Sequence, residues 1–141
     1  MTITISLDIL DLHGDGFHPL VNVTVFGRSF ILVVDTGASK TAFDHDTLLA
    51  LGDTAQIESS DRLSTGLGTT NMASSTAIIS DMRIGDLLIA EFEVAVLDLS
   101  SINIAYRQLN HPAVLGVLGG DILMKYKAVI DYGQKTLHFK I

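Results

Sequence analysis

The chain has 141 residues, 48% of them hydrophobic and 18% charged, with no cysteine and a net charge of −7 from 16 acidic and 9 basic side chains. That length forms one domain with a real core, and that hydrophobic content excludes a disordered chain. The acidic balance argues against nucleic acid or an anionic membrane as partner, the missing cysteines exclude disulfides and thiol catalysis, and no apolar run approaches bilayer-spanning length.

In chain order, residues 2–10 alternate β-branched and polar side chains as far as Leu10 and predict a first strand. The opening Met1-Thr2-Ile3-Thr4-Ile5 lacks a basic n-region. No signal peptide is therefore visible, which favours a cytoplasmic protein; a periplasmic or secreted one needs residues ahead of Met1. Asp11 to Pro19 is a loop dense in turn formers. Its His13, Asp15 and His18 lack a recognised ligand spacing and read as solvated loop residues. Leu20 to Phe26 alternates again, and Gly27-Arg28-Ser29 makes a tight connection, so residues 20–35 are expected to form a hairpin.

Thr41-Ala42-Phe43 reads as a short strand, and Asp44 to Leu51 as a helix closed by Gly52. Ile57–Leu63 and Asn71–Ile84 are the expected arms of a hairpin whose tip, Ser64 to Thr70, carries two glycines. After a Gly85-Asp86 turn, Leu87 to Leu97 is strand-like, with Phe92, Val94 and Val96 on one face and Glu91 and Glu93 on the other. Asp98 to Pro112 reads as surface loop with a helical turn near Ile102 to Leu109. Ala113 to Leu118 is an apolar strand running into Gly119-Gly120. Asp121 to Lys125 follows as a short helix, with Asp121 placed to cap its free N–H groups. Ala128–Tyr132 and Leu137–Ile141 flank Gly133 to Thr136 as a closing hairpin. Asp131, Tyr132, His111 and His138 read as structural, and no spacing supports a zinc site or a Ser-His-Asp hydrolase.

One stretch concentrates chemistry. Phe30-Ile31-Leu32-Val33-Val34 is a continuous apolar run that ends abruptly in Asp35-Thr36-Gly37-Ala38-Ser39. The run reads as a buried strand, which leaves Asp35 at the edge of the core, where desolvation disfavours a charge. Gly37 permits a sharp turn and a close approach by another segment. Both a plain Asx turn and a reactive carboxylate fit these residues. A second stretch, Val117-Leu118-Gly119-Gly120-Asp121-Ile122-Leu123, begins 82 positions after Asp35.

Together these stretches resemble the retropepsin-like, single-lobe, bacterial-type aspartic proteases. Their pattern is an apolar run into Asp-Thr-Gly-Ala/Ser, a glycine-containing flap, and an apolar-apolar-Gly-x-Asp/Asn-x-Leu segment opening a helix. The resemblance covers roughly residues 20 to 141. It implies an all-β fold, an acid-protease β-barrel lobe with one or two short helices. The layout would be a single domain over 1–141: an N-terminal strand and loop at 1–19, a core at 20–124 with its flap near 63–72, and a C-terminal hairpin at 125–141.

The same resemblance implies an aspartic endopeptidase that needs no cofactor and no metal. Two facing carboxyls would share one proton; one activates water while the other polarises the scissile carbonyl. The chain has one Asp-Thr-Gly, since Asp46-Thr47 and Asp53-Thr54 lack the glycine. The site would therefore be a homodimer with Asp35 from each copy, acting on a peptide or protein substrate. By resemblance, Thr36 bonds across the dyad, Gly37 lines the cleft, and Gly66, Leu67 and Gly68 cover the substrate. Gly119, Gly120 and Asp121 form the structural motif. Ala38 stands where two-lobed pepsin-like enzymes carry a serine that stabilises the ionised carboxylate, which implies a mildly acidic to near-neutral optimum. Ser39 and Gly120 stand where viral members carry an ion-paired Asp and Arg that support the dimer. That departure keeps an alternative open: a non-catalytic peptide-binding or dimerisation module of the same fold. The hairpin after Lys125 is longer than a viral tail, so the interdigitated viral terminal sheet is not expected.

Overall fold

The computed structural model describes residues 1–51, 56–64 and 72–141, with side chains described at 1–51 and 75–141. The expected first strand is two. β1 (Thr2–Ser6) and β2 (Asp8–Asp11) part at Leu7, which is buried, and they join different sheets. Leu7 donates its amide to the Lys135 carbonyl at 2.9 Å, which turns the chain from one sheet to the other. Alternation continues across this break, so the pattern by itself reads as one strand.

β3 (Phe17–Val25) pairs antiparallel with β2 on one side and with β4 (Arg28–Val34) on the other. Their turn is Phe26-Gly27 rather than Gly27-Arg28-Ser29. Both turn residues have positive φ, 50° and 76°, the geometry that matches the twist of a two-residue hairpin. β5 (Ala42–Asp44) leads into α1 (His45–Leu49), which Asp44 caps by accepting the Thr47 amide at 3.1 Å.

β6 (Gln56–Ser64) and β7 (Met72–Ile84) form the expected hairpin arms. Its tip, with Gly66, Leu67 and Gly68, lies outside the described residues, as does Gly52. β8 (Leu87–Leu97) pairs with β7 throughout, except that Ser80 and Glu91 are skipped between Asp81↔Ala90 and Ile79↔Phe92. Glu91 takes φ 47° there. The buried positions change phase on both strands at this point, from Met82 and Ile84 to Ala77 and Ile79 on β7, and from Leu87 and Ile89 to Val94 and Val96 on β8. Because both strands skip one residue, the register does not slip; only the buried face changes. The alternation expected around Phe92, Val94 and Val96 therefore holds only beyond Glu91.

α2 (Ser100–Gln108), β9 (Gly116–Leu118), α3 (Gly120–Lys125), β10 (Val129–Asp131) and β11 (Thr136–Lys140) complete the chain. Among the described residues the helices are few and short, as expected for this fold class. The larger sheet runs β2-β3-β4-β9-β5-β8-β7-β6, and a further pairing of β3 with β7 closes six of these strands into a barrel. A separate sheet, β1-β11-β10, joins the two ends of the chain. His138 bridges it, 2.9 Å from Thr4 on β1 and 3.0 Å from Thr136 on β11. Among the described residues two apolar clusters form the core. The larger holds Val21, Leu32, Phe43, Ile79, Val94 and Phe139 among others. The smaller packs Leu20, Val33, Ala42, Leu97, Tyr106 and Val117 around Ala38, directly under the loop that carries Asp35.

Candidate active site

Two parallel strands set the site. β4 and β9 align as Leu32↔Gly116, Val33↔Val117 and Val34↔Leu118, so the Asp35 and Gly119 turns leave the sheet side by side. The Asp35 amide donates to the Leu118 carbonyl at 3.0 Å, which extends the ladder one residue past β4. The chain then folds over itself. Ala38 donates its amide to the Asp35 carbonyl at 3.2 Å, and Gly37 donates to Asp35 Oδ1 at 2.9 Å. The side-chain bond is an Asx turn, and it fixes one carboxylate oxygen while the residue remains half-buried. Thr36, Gly37 and Ser39 are exposed; Ala38 is 5% exposed and points into the smaller cluster.

Gly37 itself is not required by this turn. Its φ is not positive, and a Cβ there would meet only Asp35 Oδ1, at 3.3 Å. Gly116 and Gly119 are required by close approach. A Cβ on Gly116 would lie 1.9 Å from the Ala42 carbonyl oxygen, and one on Gly119 would lie 2.5 Å from the Lys40 carbonyl carbon. Gly120 has room, its nearest contact at 3.5 Å. Of the glycine pair in Gly119-Gly120-Asp121, only the first is demanded by packing within the chain.

Thr41 joins the two turns, and sequence reasoning missed it. It is 0% exposed. Its amide and hydroxyl both donate to Asp121 Oδ1, at 2.9 and 2.7 Å, while its hydroxyl oxygen accepts the Gly119 amide at 3.0 Å. Asp121 Oδ1 also accepts the Ile122 amide at 2.9 Å. The expected helix-capping role of Asp121 is therefore reduced to one amide of α3; its main partner lies across the site, on the residue before β5. Gly120 adds a further link by donating to the Ala38 carbonyl at 2.8 Å. The available signal was a hydroxyl residue at the entry to a buried strand, too common to single out.

Around this unit, Lys40 Nζ contacts Glu93 Oε1 at 2.6 Å, an ion pair between the loop and β8. Asp44, 6% exposed, accepts Thr47 with Oδ2 and the Leu99 amide with Oδ1 at 2.9 Å, tying α1 to the start of α2. Asn103 bonds both the amide and the carbonyl of Val114, which holds α2 against the approach to β9. Tyr106 of α2 is buried with its hydroxyl 2.6 Å from His18 Nδ1, and burial pushes its pKa up to about 12. His18 is thus a partner of the smaller cluster rather than a loop residue, while His13 and Asp15 remain exposed in the loop. His111 packs edge-on against the Tyr106 ring. Among the described residues no group of three or more potential metal ligands gathers, and no helix is long and apolar enough to cross a membrane.

Residues 21–122 match a family model described as aspartyl protease. Among solved structures, the chain is similar to a retropepsin-like aspartic protease from Rickettsia conorii, with 20% identity and a TM-score of 0.62 over 99% of this chain and 89% of that one. It is similar to EIAV protease complexed with the inhibitor HBY-793, with 16% identity and a TM-score of 0.59 over 86% of this chain and 99% of that one. The retroviral protease-like domain of Ddi1 from Leishmania major gives 16% identity and a TM-score of 0.50 over 96% and 87%. No curated protein matches the sequence. The lobe has the retropepsin-like fold, and with the family model spanning the strands that carry both turns, the chain belongs to the aspartyl protease family.

Proposed function

We propose that the protein is an aspartic endopeptidase whose site forms between two copies of the chain. The observation that carries this reading is the state of Asp35. Its carboxylate is fixed by the Gly37 amide, sits half-buried at the rim of the lobe, and is flanked by exposed Thr36 and Gly37. A single Asp-Thr-Gly supplies one carboxyl, and water activation by this route needs two. The second comes from Asp35 of the other copy across a twofold axis.

In that site, one carboxylate takes a proton from the water between the pair. The oxygen attacks the scissile carbonyl carbon, while the protonated partner donates to the carbonyl oxygen. Collapse of the tetrahedral intermediate returns a proton to the leaving amine. Thr36 bonds across the axis, Gly37 offers backbone to an extended peptide, and Gly66, Leu67 and Gly68 close over it as the flap near residues 63–72. Residues 119–121, bonded to Thr41 and Ala38, hold the loop from below.

A second reading, a non-catalytic peptide-binding or dimerisation module, draws on Ser39 and Gly120. Ser39 is exposed and Gly120 has no side chain, so the ion pair that viral members use at these positions is absent. One experiment separates the readings: cleavage of a denatured protein between about pH 3.5 and pH 7.5, comparing wild type with Asp35→Asn, with light scattering on both. Cleavage that needs Asp35, in a dimer, is the expected result. A folded dimer that cleaves nothing at any pH favours the module.

A further inference from the structure

Charge is unevenly placed along the chain. Residues 1–124 hold fifteen acidic and five basic side chains; residues 125–141 hold one acidic and four basic. Folding gathers three of those lysines. Lys125 ends α3, Lys127 follows it, and Lys140 ends β11, where its amide donates to the Tyr126 carbonyl at 2.7 Å. Lys125, Lys127 and Lys140, with Thr2 and Tyr126, line an open cavity of about 430 Å³. Among the described residues no acidic side chain lines it. Asp131, the one acidic residue of the segment, sits at the other end of the hairpin and accepts the Gln134 amide. The chain-end groups of Met1 and Ile141 lie on the same rim with opposite signs, so three positive charges remain with or without them.

Two local features shape this cluster. Lys125 Nζ lies 5.4 Å from the centre of the Tyr126 ring, a contact that limits where its ammonium group can point. Lys127 has φ 49°. It closes α3 in a Schellman turn, with its own amide donating to Met124 and the Ala128 amide donating to Leu123. Glycine is the usual residue there because a side chain is strained in that conformation. Lys135 shares this conformation, φ 54°, at the far end of the hairpin, so it is the position of Lys127 on the cavity, and not the strain, that sets it apart.

We propose that this cavity binds an acidic polypeptide segment, a run of Asp or Glu side chains in a partner protein. Lysine ammonium groups suit it, since they act as point charges and do not demand paired geometry. A narrow segment feels the local field alone, because charges beyond about 8–10 Å are screened. A flat anionic bilayer would also face the acidic body of the lobe. A twofold contact between two copies through this surface would set lysines against lysines. The surface is separate from Asp35. α3 begins beside the Asp35 loop, where the Gly120 amide meets the Ala38 carbonyl, and ends at the cavity about 9 Å away. Binding here does not depend on cleavage; if the chain cleaves, the cavity recruits proteins that carry an acidic run outside the cut site.

The test is fluorescence anisotropy of a labelled oligoglutamate peptide against the Asp35→Asn chain, which cannot process it. Binding is expected to weaken about tenfold between roughly 50 and 300 mM salt. The combined Lys125→Gln, Lys127→Gly and Lys140→Gln changes are expected to weaken it at least about tenfold at low salt. Lys127→Gly alone is expected to weaken binding several-fold while raising the melting temperature, which separates lost charge from lost folding. Lys135→Gln, at the far end of the hairpin, is expected to leave binding unchanged. The proposal is overturned if the triple variant binds as tightly as its parent, or if Lys135→Gln weakens binding equally. It is also overturned if the same lysines govern sedimentation with phosphatidylserine vesicles or the oligomeric state while the peptide does not bind.

Discussion

Thr41 and Asp121 are bonded twice, the threonine amide and hydroxyl both donating to one carboxylate oxygen 80 residues away in the chain. That pair, with the Gly119 amide on the Thr41 oxygen, holds the Asp35 turn and the glycine turn in one unit. The relationship makes Thr41 the residue most exposed to test, because replacing it strands partners on both sides.

Thr41→Val removes the hydroxyl and leaves the buried Gly119 N–H without its acceptor. The expected loss is about 2–3 kcal/mol, more than one hydrogen bond contributes net, because a stranded buried donor bears its full desolvation cost. Thr41→Ser is expected to recover most of it. Asp121→Ala loses both Thr41 bonds from the other side, so combining it with Thr41→Val should cost clearly less than the two separate losses added. Urea denaturation of the wild type and these four variants reads this directly, and strict additivity would refute the coupling.

Gly116, which the packing demands, differs sharply from Gly120, which it does not. Gly116→Ala puts a Cβ 1.9 Å from the Ala42 carbonyl, between β9 and β5, two strands inside the closed barrel. Backbone must separate there, and a loss of about 3 kcal/mol or more is expected. Gly120→Ala, with 3.5 Å to its nearest neighbour, is expected to fold with a loss under about 1 kcal/mol. Circular dichroism melts of both variants decide the matter.

These positions also mark where sequence reading reached its limit. The Asp35 and Gly119 turns were legible because each ends an apolar strand in residue types that few other contexts need. Thr41 and Gly116 were not, because their roles come from partners 80 and 74 residues away, Asp121 and Ala42, which periodicity cannot see. The same holds for Leu7, where alternation continues while the chain changes sheets, and for Ser80 and Glu91, where two strands skip a residue together. Local pattern gives the elements; it does not register a change of partner that preserves the pattern.

Tyr106 gives a pH dependence of known sign. Burial raises its pKa from 10.0 to about 12, so between those values the folded chain holds a proton that the unfolded chain has released. Stability from this group is complete below pH 10 and falls as pH rises toward 12, by up to about 2–3 kcal/mol. Tyr106→Phe is less stable at neutral pH, since His18 Nδ1 loses its partner, but it should lack this alkaline decline. Urea midpoints at several pH values above 9 compare the slopes; equal slopes in the two proteins would remove Tyr106 as the cause.

Ala38 ties packing to the pH range of the proposed reaction. It is 5% exposed and sits among Val33, Ala42 and Val117, so its side chain faces the core rather than solvent. A serine there would bring a hydroxyl into an apolar cluster, where an unpartnered polar group costs free energy, and the Asp35 turn is the polar structure beside it. The serine at this position of the two-lobed pepsin-like pattern is the motive for the test. Ala38→Ser is therefore expected to move the acid limb of the cleavage profile about one pH unit lower, with a smaller effect on the maximum rate. Ala38→Val serves as the comparison: it fills the same space without a hydroxyl, so it should lower the rate by crowding and leave the acid limb where it is. An acid limb that does not move in Ala38→Ser, or that moves equally in Ala38→Val, would separate the pH range from hydrogen bonding at this position.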